Sequence, residues 1–493
     1  MAKSVKRSIF WQGFNVAGIA IIQIVYYALL ARILSPKEFG LIAIAQSFLN
    51  LATLFSQVGM GPALVQHKDP HDRHLSTAFW AHCGFGIVLY ALIYLSAPWI
   101  GSFFGSDALA AILPILSVGF LFSSASASSL SMIQRSMDFR YLFMAENASF
   151  LAGMITGLTC AYRGFGVWSI VYGTLVQQAC LLLFSVYRIR IPLGVAWSTA
   201  AFKELFHFGA GLTLIRINNY LTNSGVNLLL GRLMSLNILG LFERSYRTMM
   251  IPGKLLGDVI DKVMFPAMSK LQDDEEELSR MYERNLSYSL LITLPLGLWL
   301  SLNSEWVVQI LLGPQWLKTV PALQILFLAV PVRVTMRLTD SVIRAKGLVY
   351  RSAARKFLYT LVLFAGLYWG SDHGLIGLSW VILGASVFQY INMSALAVQR
   401  MNMTWEVQWR PFLQAVPSLL LFILPALLFT QFMGDALFLA KLFGTTGTFI
   451  AGIVAILIMY RWYPKFLGSH SVELIAIMDR QVKKRTGFSL SRR

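Results

Sequence analysis

The chain has 493 residues, 56% of them hydrophobic and 13% charged, with a mean hydropathy of +0.63 and a net charge of +18. Soluble domains carry about 25% charged residues, so this surface has too little charge to be wetted all round, and an ordinary soluble enzyme is excluded. Cys83, Cys160 and Cys180 stand singly in apolar runs, which supports neither a disulfide framework nor a zinc site.

A bilayer-crossing helix needs about 20 mostly apolar residues. Such runs fall at 8–33, 39–65, 77–103, 109–132, 142–162, 165–186, 205–232, 238–266, 285–303, 319–343, 357–371, 374–398, 412–433 and 442–460. They predict an all-α polytopic membrane protein of about 14 transmembrane helices; the eighth run is the least apolar and the eleventh is short, so twelve or thirteen also fit. The first run follows Lys3, Lys6 and Arg7 but carries Gln12, Asn15 and Gln23 and lacks an A-x-A site, so it reads as a retained span and not a signal peptide. With both termini in the cytoplasm, 29 Lys and Arg lie on the inside and 6 on the outside, the bias that orients multispan proteins. Those residues face anionic headgroups, which makes membrane lipids the expected partner and removes nucleic acid. The remaining six, Arg216, Arg244, Arg247, Lys254, Arg333 and Arg337, fall inside predicted spans.

The chain also repeats. Leu29-Leu30-Ala31-Arg32-Ile33-Leu34-Ser35 aligns with Leu229-Leu230-Gly231-Arg232-Leu233-Met234-Ser235, and Gly40-Leu41 with Gly240-Leu241, at one offset of 200. Gln23 meets Asn223 in the same register, and Gly164 to Ser169 is echoed by Gly374 to Trp380. Six spans per period restore the starting side, so the copies are parallel, about an axis normal to the membrane. The expected division is an N-lobe at 1–200 (helices 1 to 6), a C-lobe at 201–400 (helices 7 to 12), two extra C-terminal helices at 401–463 and a basic cytoplasmic tail at 464–493.

Helical spacing gathers the polar residues of the spans into stripes. Span 10 aligns Arg333, Arg337, Asp340 and Arg344; span 8 aligns Glu243, Arg247, Lys254, Asp258 and Asp261, with Arg244 beside them and Pro252 as a kink; span 7 aligns Arg216, Asn219, Tyr220, Asn223 and Asn227. The first half answers with neutral groups, Gln12, Asn15, Gln23 and Tyr26 in span 1 and Gln46, Asn50, Thr53 and Gln57 in span 2. A lone charge at mid-membrane costs at least ~2.5–3.5 kcal/mol, so these groups face water, each other or an anionic ligand. One reading is a set of salt bridges, Glu243 with Arg247 and Arg337 with Asp340. The other is a water-filled cavity whose arginines (Arg216, Arg244, Arg247, Arg333, Arg337) bind a phosphate-bearing substrate, guanidinium forks matching phosphate oxygens. Its polar wall would be Gln23, Gln46, Asn50, Gln57, Asn219, Asn223 and Asn227. Arg344 and Asp261 lie near the cytoplasmic ends, where snorkelling accounts for them.

His67, His71 and His74 have metal-ligand spacing but straddle Asp69-Pro70 and read as a solvated turn; Asp273 to Glu277 reads as a solvated acidic run and not a calcium loop. No P-loop, H-E-x-x-H, G-x-S-x-G or dinucleotide fingerprint occurs. No catalytic residue, metal or cofactor is therefore expected. Energy would come from the membrane potential or from a proton or sodium gradient, with Glu243 and Asp340 as candidates for ion coupling.

Arg7-Ser8, the run from Leu30 to Gly40, Pro62-Ala63-Leu64-Val65-Gln66, Gln134-Arg135 with Asp138-Phe139, and Phe265 to Leu271 together resemble the polysaccharide transporter (Wzx-like) branch of the multidrug/oligosaccharidyl-lipid/polysaccharide (MOP) exporter superfamily. The similarity covers about residues 5–400. It implies two six-helix lobes in a V and a flippase, not an enzyme. Its substrate would be an undecaprenyl-diphosphate-linked oligosaccharide, moved by alternating access from the inner to the outer leaflet of the bacterial cytoplasmic membrane for exopolysaccharide or O-antigen (lipopolysaccharide) assembly. It also implies a polysaccharide polymerase or assembly machinery as partner. The cavity arginines would engage the diphosphate, and spans 13 and 14 would groove the lipid. Spans 1 and 2 place no basic residue mid-membrane, which leaves diphosphate capture to the second copy. The alternatives are a MATE-like multidrug antiporter, which would want cavity acids for cationic drugs, and a membrane glycosyltransferase or polymerase, which would want a large outer loop or a catalytic acid pair.

Overall fold

A computed structural model describes residues 22–56, 60–66, 71–191, 197–199, 202, 213–401, 403–416, 419 and 447. Within these, the side chains of 52, 54–56, 213–216, 258–259 and 262–263 are not described. Gln12, Asn15, Gln57, His67, most of spans 13 and 14 and the basic tail lie outside the described residues, as does the side chain of Arg216.

The described residues form helices and no strand. Asp72–Phe103, Asp107–Arg135, Trp168–Arg188, Glu275–Leu302 and the hairpin Val349–Arg400 are long and apolar enough to cross a membrane, and Pro314–Phe327 with Ala329–Ala345 adds a span bent by 43°. Only 22% of the apolar window of Asp72–Phe103 is buried, and Leu95 and Trp99 are 74% and 80% exposed; so wide an apolar surface is a lipid-facing one. Three expectations shift. The eleventh helix, short in the sequence reading, is 22 residues long, Val349–Gly370, because Arg351, Arg355 and Lys356 occupy its first turns and hide it from an apolar scan. The fourth is broken at Val118 into Asp107–Ser117 and Gly119–Arg135. The ninth begins early, at Glu275, because Asp274 accepts the Glu277 amide at 2.9 Å and caps it. The acidic run is thus a helix start.

The chain divides into two compact units, Met1–Glu243 and Arg244–Arg493. In the first, α1 (Ile22–Ile33) precedes α2 (Pro36–Ser56), α3 (Met60–Gln66), α4 (Asp72–Phe103), α5 (Asp107–Ser117), α6 (Gly119–Arg135), α7 (Phe139–Tyr162) and α8 (Trp168–Arg188). After residues that are not described come α9 (Thr213–Tyr220), a π-turn (Leu221–Gly225), α10 (Val226–Leu233) and the start of α11 (Leu236–Ser269). The residues matched at offset 200 share a backbone. Leu34 N–H bonds Leu30 C=O and Met234 N–H bonds Leu230 C=O, both at 2.8 Å, and each helix breaks for two residues before the next begins. In the first copy Glu38 accepts the Ser35 amide at 2.7 Å; in the second, where Ile238 replaces Glu38, the Ser235 hydroxyl accepts the Ile238 amide at 3.4 Å. The two starts then meet. A Cβ on Gly40 would overlap the Leu236 carbonyl, and one on Gly240 the Pro36 carbonyl. The contact is reciprocal and backbone on backbone, an approach that glycine alone permits.

The second unit continues α11 and adds α12 (Glu275–Leu302), α13 (Ser304–Leu311), α14 (Val320–Phe327), α15 (Ala329–Ala345), α16 (Val349–Gly370), α17 (Gly374–Arg400) and α18 (405–416). Its core packs Tyr282, Leu286 and Leu290 of α12 with Leu338 and Val342 of α15 and with Ala397, Met401 and Met403. α18 is pinned there by buried Gln408, whose Oε1 accepts from Tyr282 at 2.8 Å and from Tyr390 at 3.1 Å. Most buried polar groups are bonded in this way, although the Gln408 amide nitrogen keeps no hydrogen-bond partner among the described residues.

Candidate functional site

The arginine stripe of α15 points at α11. Arg333 donates to the Tyr246 hydroxyl at 2.9 Å and lies 3.4 Å from the Ser386 hydroxyl, its guanidinium 5.4 Å from the Tyr246 ring centre, and Tyr359 also faces it. Among the described residues no carboxylate lies within ion-pair distance of Arg333. One turn further on, Arg337 reaches Asp261 at 3.4 Å. A Cβ on Gly257 would overlap the Arg337 stem, so Gly257, one turn before Asp261, is the slot through which that side chain passes. Arg344 bonds the same carboxylate at 2.7 Å and Ser341 reaches it at 3.0 Å. One carboxylate thus serves two guanidiniums.

This pairing corrects the sequence reading twice. Arg337 does not pair with Asp340, because the interhelical reach through Gly257 is open; Asp340 instead meets Lys356 of α16 at 2.9 Å, leaving its Oδ1 buried with no hydrogen-bond partner among the described residues. Arg344 and Asp261 do not merely snorkel; they bond each other. Glu243 and Arg244 are each 5% exposed, while Arg247 and Lys254 are exposed, and Glu243, Arg244 and Arg247 each engage a neighbouring group. The sequence reading missed Tyr246, Tyr359, Ser386 and Lys356. The first stands one residue before Arg247, to the side of the span 8 stripe and outside it, and a neutral hydroxyl there gave no signal of its own.

In the first unit the neutral polar wall is partly assembled. Asn50 Nδ2 donates to Ser224 Oγ at 3.0 Å and Gln46 donates to Asn50 Oδ1 at 3.2 Å, joining α2 to the π-turn. Asn50, Asn219 and Asn223 are exposed; Gln23, Gln46 and Asn227 are half-buried. Tyr26 belongs to the core instead, at 6% exposure, its hydroxyl filling the space that a Cβ on Gly157 would occupy.

At the predicted cytoplasmic side two of the singled-out motifs meet. Arg135, ending α6, donates to the carbonyls of Leu64 at 3.3 Å and Val65 at 3.0 Å and caps α3. The chain then turns through Met137, at φ 58°, with Asp138 N–H on Ile133 C=O and Met137 N–H on Gln134 C=O, a Schellman turn. Asp138 caps α7 through the Tyr141 amide and bonds Arg188 at 2.6 Å. The Arg188 guanidinium holds the Asp138 carboxyl below its ordinary range. A depressed carboxyl pKa contributes stability that is present above the unfolded value and lost as pH falls through the folded one. Acidification below about pH 4 is therefore expected to loosen this corner in the wild type, and Asp138→Asn to flatten that acid limb in thermal unfolding. The effect is small, because Arg188 is 50% exposed.

Comparison with known proteins gives a family match over residues 29–321, described as polysaccharide biosynthesis protein. The lipopolysaccharide biosynthesis protein WzxC of Escherichia coli (strain K12) is 28% identical over 388 residues, 78% of each chain. The succinoglycan biosynthesis transport protein ExoT of Rhizobium meliloti (strain 1021) is 26% identical over 333 residues, 66% of each. The chain is similar in fold to a solved structure of the lipid II flippase MurJ, with a TM-score of 0.71 at 15% identity, covering 92% of this chain and 99% of that one.

Proposed function

The chain belongs to the polysaccharide biosynthesis protein family, and on that premise we propose that it is a flippase carrying a lipid-linked oligosaccharide from the inner to the outer leaflet of a bacterial cytoplasmic membrane. Arg333 carries the reading: a half-buried guanidinium held by a phenol and a hydroxyl, with no carboxylate in reach among the described residues. Neutral partners fix its direction without cancelling its charge, so it keeps full attraction for an anion. A diphosphate linking a polyprenyl tail to sugars supplies that anion, and Arg337 extends the same stripe toward Asp261. The names of WzxC and ExoT support a place in exopolysaccharide or lipopolysaccharide assembly, and the fold shared with a lipid flippase supports movement of a lipid. The acid-lined site that a cationic-drug antiporter would need is not what surrounds Arg333.

Transport proceeds by alternating access, with the prenyl tail in lipid and the diphosphate on the arginines. No bond is made or broken, so the protein is not an enzyme. Each charge crossing the membrane is worth ~2.3 kcal/mol per 100 mV, and an inside-negative potential drives a diphosphate outward. Asp340, with one oxygen on Lys356 and one unused, and Glu243 are the groups we assign to any proton or sodium coupling. The test is reconstitution in vesicles with an undecaprenyl-diphosphate oligosaccharide, with and without an imposed voltage. We expect translocation that quickens at inside-negative potential; failure to move the lipid at either polarity overturns the proposal.

A further inference from the structure

We propose that Asn50 of α2, with Asn219 and Asn223 around the π-turn, forms a sugar-binding face that reads the hydroxyls of a neutral carbohydrate; this rests on the flippase reading. The position of these amides is the first argument. Asn50 lies about 21 Å along its helix from Pro36 at 1.5 Å per residue, and Asn223 about 15 Å from Leu233, so both sit near the middle of a hydrocarbon layer ~30 Å thick. All three asparagines are exposed there. Lipid is the wrong neighbour for an open amide, at roughly 2–7 kcal/mol for an unbonded group, and the surface that does meet lipid, on α4, is Leu92, Leu95 and Trp99. The amide face therefore meets water and what the water carries.

Its chemistry is the second argument. The charged residues of α2 are Lys37 and Glu38 at its start, and those of α9 and α10 are Arg216 and Arg232. Arg216, one turn before Asn219 on the same stripe, bounds the face at its start, its side chain lying outside the described residues; from Asn219 to Asn227, and along α2 beyond Glu38, the polar groups are amides and hydroxyls. A diphosphate would want cations and a cationic drug would want acids; a polyol wants neutral donor and acceptor pairs. Asn223 commits one N–H, to the Asn219 carbonyl at 2.7 Å, and keeps its other N–H and its Oδ1. Asn50 accepts from Gln46 and donates to Ser224, which locks its plane and leaves one N–H outward. The Asn219 side chain enters no hydrogen bond among the described residues. Such donor and acceptor pairs match adjacent sugar hydroxyls.

The π-turn is the third. Leu221–Gly225 closes i→i+5 rings inside an otherwise α-helical segment, a local widening that recurs at functional sites. Here it brings the Ser224 hydroxyl to Asn50. Tyr220, at its edge, keeps a buried hydroxyl with no hydrogen-bond partner among the described residues, a further donor next to Asn219.

The experiment uses the full chain in lipid nanodiscs and two probes, undecaprenyl diphosphate and the same lipid bearing a neutral hexose disaccharide. Each lost hydrogen bond is expected to weaken binding about five- to tenfold. The wild type should prefer the glycosylated lipid. Asn50→Leu with Asn223→Leu should lose about tenfold or more of its affinity for that lipid and bring the preference close to unity, while Arg333→Gln weakens both probes alike. Asn219→Leu breaks no side-chain bond among the described residues and serves as the second variant, with the same direction at smaller size. Equal weakening of both lipids by the asparagine variants, or none, overturns the sugar-face assignment alone. Binding of neither lipid by the wild type overturns the flippase reading and this inference with it.

Discussion

Arg333→Gln is expected to reduce transport of a lipid-linked oligosaccharide roughly a hundredfold or more, with insertion and thermal stability close to wild type. The size follows from a charged hydrogen bond being worth about 1.5–3 kcal/mol, with a guanidinium fork placing two such bonds on phosphate. The selectivity of the effect follows from the partners. Removing one member of an ion pair leaves a buried charge behind, which is strongly destabilising. Among the described residues Arg333 leaves behind the hydroxyls of Tyr246, Tyr359 and Ser386, all neutral, and the last already donates to the Ile382 carbonyl at 2.7 Å. Arg333→Lys keeps the charge without the fork and should fall between, about tenfold down. Transport at the wild-type rate in the glutamine variant, measured in vesicles at matched protein content, would remove Arg333 from the substrate path and leave its phenol contacts as simple packing.

Gly240→Ala is expected to cost more in folding than any other single methyl added to a glycine of the first unit except Gly40→Ala. A Cβ at either position lands well inside 3.0 Å of a backbone carbonyl on the facing helix start, where no side chain can swing aside. The helices must separate, and overpacking of this kind costs typically about 1–3 kcal/mol. The control is Gly84→Ala on α4, which meets nothing within 4 Å and gains helix propensity of up to about 1 kcal/mol. The readout is the thermal midpoint in detergent: a clear fall for Gly240→Ala and Gly40→Ala, none for Gly84→Ala. Equal midpoints for all three would show that the crossing is not tight.

The two results test different kinds of legibility. The register that matches Gly40 to Gly240 was readable because a repeat is a comparison of the chain with itself. That the matched helix starts touch was not, since a repeated sequence does not say which of its copies lie against each other. The arginine stripe of α15 was likewise readable from 3.6-residue spacing, whereas Tyr246 as the holder of Arg333 was not, a neutral phenol being inconspicuous in a helix whose charges draw the attention. Pro62 to Gln66 and Gln134-Arg135 with Asp138-Phe139 were singled out as strings, and they share one task, the capping of α3 and α7 at a single corner.

What the sequence determined by itself was the membrane class, most of the described helix positions and which polar residues share a face, because hydropathy and helical period are local properties carried by neighbouring residues. What only the tertiary structure decided was the choice of partner. Asp261 goes to Arg337 and Arg344, Asp340 goes to Lys356, and Asn50 goes to Ser224. Each of these bonds joins separate helices across a gap of a few ångströms, and that gap is set by small residues such as Gly257 and by a single π-turn, neither of which alters the hydrophobic pattern from which the spans were read.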